Sequence, residues 1–145
     1  LVVWCHWRLA RQCFPPYRRN ARLARKGVAV NYYETWFNLA DTHKDLEFAR
    51  ALDDYLGHLA REGLIAGYRL TRRKLGFGPS ELGEFHVAIS VQSLAQLDEA
   101  FGVVAHRSGE LERLHARVYS AITDARFALY RDFPDPQRIA SADKP

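Results

Sequence analysis

The 145-residue sequence predicts an α+β domain in which one antiparallel sheet carries its helices on a single face. Three observations predict it. Four short stretches alternate apolar and polar residues with the two-residue period of a half-buried strand. Two longer stretches repeat apolar residues at three- and four-residue spacing, as amphipathic helices do. The strongest turn signals, Gly63 and "GFGPSELG" at 76–83, fall between these stretches, and Pro134 ends the last of them.

The first strand is expected over residues 28–39 and contains "NYYETWFNL". Tyr33, Thr35, Phe37 and Leu39 point one way and read as ordinary core. Tyr32, Glu34, Trp36 and Asn38 point the other way, on a face too aromatic for free solvent and too polar for a sealed core. Asp41 or Thr42 then caps a helix running to about Glu62, with Phe48, Leu52, Tyr55, Leu56 and Leu59 on its apolar stripe and Gly63 as its stop. A second strand is expected over 65–75, with Tyr68, Leu70 and Arg72 on one face and Arg69, Thr71 and Arg73 on the other. The 76–83 segment is a hairpin connection. It lacks the spacing and the strand–helix context of a phosphate loop.

Residues 84–91 give the cleanest alternation, Phe85, Val87, Ile89 and Val91 against Glu84, His86, Ala88 and Ser90. Ser93 and Gln96 form a capping box for a helix with Leu94, Leu97, Phe101 and Val104 inward. Gly102 and Ser108-Gly109 weaken it, and a second helical segment over about 110–122 carries Leu111, Leu114, Val118 and Ile122. A fourth strand over 124–133 closes the order β-α-β-β-α-β, the ferredoxin-like βαββαβ arrangement with a four-stranded antiparallel sheet.

Composition bounds the rest. Apolar residues make up 48% and no apolar run reaches the ~20 residues of a membrane-spanning helix, so no membrane partner is expected. The net charge of +4 is unevenly placed: residues 1–27 carry seven basic residues and no acid, leaving the body at −3. Nucleic-acid binding by the body is therefore disfavoured. Both cysteines, Cys5 and Cys13, lie in the same lead, so the body has neither a disulfide framework nor a thiolate metal site, consistent with a cytoplasmic protein. The lead 1–27 reads as a basic extension outside the fold. It is disordered or translated from too early a start; a transit peptide and a basic binding tail are the alternatives. The domain spans 28–133, and residues 134–145 form a loose tail.

Over residues 28–133 this order and patterning resemble the dimeric α+β barrel superfamily, and "NYYETWFNL" with "GEFHVAIS" is similar to an uncharacterised bacterial family of that fold. The resemblance implies a homodimer in which two sheets pack face to face around a pocket. Superfamily members include cofactor-free monooxygenases, isomerases and ligand-sensing domains.

Alternation places Tyr32, Glu34, Trp36, Arg69, Thr71, Arg73, His86, Arg126, Tyr130 and Asp132 on the open face. His86 is the expected general base, with Glu34 as a raised-pKa acid or an ion partner. Tyr32, Trp36 and Tyr130 are expected to stack on a planar ligand, and Arg69 and Arg73 to hold a carboxylate, while Arg72 and Lys74 stay solvated. Each also has a structural reading: His86 pairing with Glu34 merely closes the barrel. His43, His58, His106 and His115 show no metal-ligand spacing, and neither a metal nor another cofactor is expected. The expected function is binding of a small aromatic or carboxylated molecule between subunits, as a cofactor-independent monooxygenase or isomerase. The alternative is a non-catalytic ligand-binding or interaction module.

Overall fold

The computed structural model describes residues 30–134, so the expectations for 1–27 and for the tail beyond Pro134 lie outside the described residues. Strand β1 (Asn31–Leu39) leads through a 3-10 turn (Thr42–Lys44) into helix α1 (Asp45–Arg61). Strands β2 (Gly67–Arg72) and β3 (Phe85–Val91) follow, then helices α2 (Leu94–Ala105) and α3 (Gly109–Tyr119), and finally strand β4 (Ile122–Arg131). The strands lie in the order β2-β3-β1-β4, all antiparallel. The expected ferredoxin-like α+β fold is the observed one.

The local signals act as anticipated, with extensions. Asp41 Oδ1 accepts the backbone N–H of His43 at 3.0 Å, capping the turn before α1. Gly63 takes φ 75, and the N–H groups of Gly63 and Leu64 return to the carbonyls of Ala60 and Leu59. Ser93 Oγ accepts the Gln96 N–H at 3.1 Å, and Gln96 Oε1 accepts the N–H of Gln92. The Gln96 amide also donates to the Gly63 carbonyl at 2.7 Å, tying the start of α2 to the end of α1.

Several boundaries move for identifiable reasons. The second strand shortens to Gly67–Arg72 because Ile65 is buried in the core and Leu75 and Gly76, at φ 54 and φ 69, turn the chain away. Ile122 opens β4 instead of closing α3, since it pairs with Leu39 across the sheet. Arg72 is not simply solvated. It lies on the helix side, donating to Glu84 at 2.7 Å and Asp45 at 2.9 Å, with its guanidinium 5.1 Å from the centre of the Phe85 ring.

Phe37, Phe48 and Phe85 form the aromatic centre of the core, with ring centroids 5.3–6.2 Å apart. Leu56 and Val91 beside them are sealed from solvent. The helices cover this core but leave β4 bare. Phe127 and Leu129, which alternate onto the helix side, remain 48% and 51% exposed.

Gly83 passes so close to β1 that a Cβ there would fall onto the Phe37 backbone, which cannot yield as a side-chain tip can. Gly83→Ala is therefore expected to destabilise the fold by about 2 kcal/mol or more in urea unfolding. Gly102, exposed inside α2 with open space around it, is the opposite case. Gly102→Ala should stabilise by about 0.5–1 kcal/mol in the same measurement.

Candidate functional site

The open face assembles as alternation predicts. In the sheet register Thr71, His86, Trp36 and Arg126 form one row across β2, β3, β1 and β4. Cross-strand neighbours on one face stand close enough to interact directly. The Trp36 and His86 rings stack with centroids 4.8 Å apart and 17° between planes. His86 Nε2 pairs with Glu34 Oε2, and Thr71 Oγ1 lies 3.3 Å from His86 Nδ1. Glu34 and His86 thus meet within one chain.

The other expected site residues are more dispersed. Tyr130 stands opposite Tyr32 in the register and is 57% exposed, while the Tyr32 hydroxyl donates to Asp132 Oδ1 at 3.2 Å. Arg73 Nη2 donates to the carbonyls of Pro79, Leu82 and Gly83, clasping the loop between β2 and β3. Arg69 is exposed on β2, one of the two edge strands of the sheet. The Asn38 amide donates to Asp124, and its carbonyl oxygen accepts the Glu84 N–H.

A second feature lies behind the sheet. Between the helix side of the sheet and the three helices is a cavity of about 300 Å³. Tyr33, Thr35 and Phe127 line its sheet wall, Tyr55 its α1 wall, Phe101 its α2 wall, and His115 and Tyr119 its α3 wall. Arg107 joins them from the link between α2 and α3, held at φ 45, an uncommon conformation for a residue other than glycine. The Tyr33 ring stacks on Phe127 at 5.7 Å and meets the edge of Phe101 at 5.3 Å. The His115 ring lies 4.4 Å from Tyr119 and 5.4 Å from Tyr55. Phe101, Tyr119 and Phe127 are about half exposed, so the cavity opens on the side of bare β4.

Burial sets the protonation states in this cavity. It pushes the Tyr33 hydroxyl up to about 12, with the nearby Tyr119 adding to the shift. Burial raises Tyr55 further, with Tyr119, Tyr33 and Glu112 acting in the same direction. The Tyr33 and Tyr55 hydroxyls therefore stay protonated at neutral pH and available as donors. His115 is lowered from its ordinary value chiefly by burial, against the opposing pull of Glu112 and with a further push down from Arg107.

These residues were legible only as packing. Tyr33 and Tyr55 occupy core positions of their strand and helix, and His115 shows no metal-ligand spacing. The available signal was periodicity: His115 lies four residues after Leu111 and three before Val118, on the inward stripe of α3. Among the described residues no three His, Cys, Asp or Glu side chains gather as a metal's ligand set, and no helix is long and apolar enough to cross a membrane.

Solved structures with this fold include SnoaB, a cofactor-independent oxygenase from Streptomyces nogalater. It is 11% identical, with 74% of this chain and 99% of that chain covered at a TM-score of 0.53. A dimeric ferredoxin-like protein of unknown function from Jannaschia sp. CCS1 is 14% identical over 70% of this chain and 97% of that one, also at 0.53. A NIPSNAP family protein from Agrobacterium tumefaciens C58 is 14% identical over 73% and 87%, at 0.52. At these identities the likeness is one of fold, and at that level the expected resemblance to the dimeric α+β barrel proteins holds. No curated protein matches the sequence. A family model does match, over residues 30–144, and the chain belongs to that family: DUF6614, a family of unknown function.

Proposed function

We propose that the protein binds a small aromatic, oxygen-bearing molecule in the cavity between sheet and helices, as one subunit of a homodimer joined through its open sheet face. One observation carries the reading: a cavity of about 300 Å³ lined mostly by aromatic and aliphatic residues, with Tyr33, Tyr55, Arg107, His115 and Tyr119 among them. Small-molecule sites are typically concave, mostly apolar and furnished with a few placed donors and acceptors, and this volume lies at the lower end of their range. Tyr33, Tyr55, Tyr119 and His115 supply the polar tips and Arg107 a fixed positive charge. An oxygen substituent, neutral or anionic, would find donors there.

The homodimer rests on different support. The open face combines the Trp36–His86 stack with internally paired polar groups, a combination suited to burial against a second copy. The related fold from Jannaschia is described as dimeric. The catalytic form of this reading is a cofactor-independent monooxygenase or isomerase. SnoaB is a cofactor-independent oxygenase of this fold, but fold alone does not transfer its chemistry.

A second reading keeps the ligand between the two sheets. His86 would act as the base, Glu34 as its partner, and Arg69, Arg73 and Tyr130 with Tyr32 and Trp36 as the binding surface. The exposure of Tyr130 and Arg69 favours it.

Two measurements separate these readings. Saturating 2-naphthol should raise the melting temperature by several degrees, since a ligand at 100 times its Kd adds about 2.7 kcal/mol to native stability. Val104→Trp, which fills the cavity from α2, should remove that shift; a shift that survives the substitution places the ligand elsewhere. His86→Ala should weaken the dimer in light scattering and leave naphthol binding within about twofold, the range for a residue outside the site. Loss of binding with an intact dimer favours the site between the sheets.

A further inference from the structure

Glu112 and His115 stand one turn apart on α3, and their geometry is unlike that of an ordinary packing pair. Glu112 Oε2 is buried and accepts no hydrogen bond among the described residues. His115 Nδ1 faces it at 4.0 Å, longer than a hydrogen bond but close enough for a charge on either group to be felt by the other. The Glu112 side chain as a whole is 35% exposed, so the cost of this oxygen is partial, and it falls further when the imidazole beside it carries a proton. The same His115 ring lines the cavity, within reach of a group bound there. Its ring contacts are Tyr55 on α1 and Tyr119 on α3, and the charged or titratable groups that share the cavity with it are Arg107 in the link before α3 and Tyr33 on β1.

We propose that Glu112 and His115 form a proton-accepting dyad for a phenol or enol bound in this cavity. The ligand O–H bond breaks and an N–H bond forms at His115 Nε2, leaving a phenolate or enolate and an imidazolium. Arg107 and the neutral hydroxyls of Tyr33 and Tyr55 meet the charge on the ligand oxygen, as preorganised donors do for developing anions. Glu112 meets the charge on the imidazolium from the Nδ1 side. No electrons change hands and no co-reactant is required. His115 touches the ligand, and Glu112 acts through it as a positioning residue. Burial holds the resting ring below its ordinary value, so it is neutral and able to accept. The proposal rests on the cavity being the binding site and adds the ligand's class, a small aromatic or enolic molecule with an acidic hydroxyl.

The test uses the full chain with 4-nitrophenol, whose phenolate band reports ionisation, and nitrobenzene, which has no hydroxyl. Bound 4-nitrophenol should ionise at a pH lower by about one unit than the free phenol, the scale of shift expected from an adjacent cation. His115→Gln should abolish that shift and Glu112→Gln should reduce it, the shift being read on the 4-nitrophenol bound to each variant. If both probes bind and the ionisation is indifferent to His115→Gln, the dyad is overturned and the cavity reading stands. If neither probe binds the wild-type protein, the cavity reading itself fails and takes the dyad with it. Should His115→Gln not fold, NMR titration of the wild-type His115 ring decides. A midpoint that rises when 4-nitrophenol binds supports the dyad, and an unchanged midpoint overturns it.

Discussion

Strand β1 runs between β3 and β4, so both its edges are committed to sheet ladders while its side chains serve two faces with opposite requirements. On the helix side, Thr35, Phe37 and Leu39 are buried under the helices. Tyr33 lies toward the other end of the same face, where the helix layer thins out. Helix α1 packs against β2 and α3, and α2 against β3, so the layer is centred away from β4. The cavity is a consequence of that offset. Tyr33, Phe127 and Phe101 pack around one another where a fully covered sheet would have aliphatic core, and their rings leave room beside them.

This arrangement explains why strand positions, faces and the open-face neighbours were readable from sequence while the cavity was not. Period-two alternation determines which side of the sheet a residue faces, so the sequence alone groups Glu34, Trp36, His86 and Tyr130 on one face. Alternation says nothing of how far a helix layer extends over that sheet. Tyr33 and Tyr55 carry the same periodic signal whether they sit in a closed core or against open space. Arg72 illustrates the complementary limit. Its face was legible, but its partners Asp45 and Glu84 come from the start of α1 and the far arm of the hairpin, and only tertiary structure brings them together. The β2 and β4 boundaries moved for a similar reason, since burial of Ile65 and pairing of Ile122 with Leu39 are non-local events.

The two polar regions differ in how their groups are satisfied, and that difference bears on function. On the open face the partners are already present: His86 has Glu34 and Thr71, Tyr32 has Asp132, Asn38 has Asp124 and the Glu84 N–H, and Arg73 has three loop carbonyls. A surface whose polar groups are mutually paired can be covered by another protein surface at modest cost, because little hydrogen bonding to water is forfeited.

Behind the sheet the balance is reversed. Among the described residues Glu112 Oε2 has no donor, and burial lowers the His115 ring beside it just as it raises Tyr33 and Tyr55. Burial has left these groups in states that a ligand could improve: neutral hydroxyls able to donate, a neutral imidazole able to accept, and an arginine charge nearby. An incoming acidic hydroxyl gives its proton to the imidazole, and the resulting imidazolium and anion each meet a group of opposite charge or a hydrogen-bond donor. The cavity therefore favours a ligand that arrives neutral, crosses the aromatic mouth without the desolvation cost of a charge, and ionises only once inside.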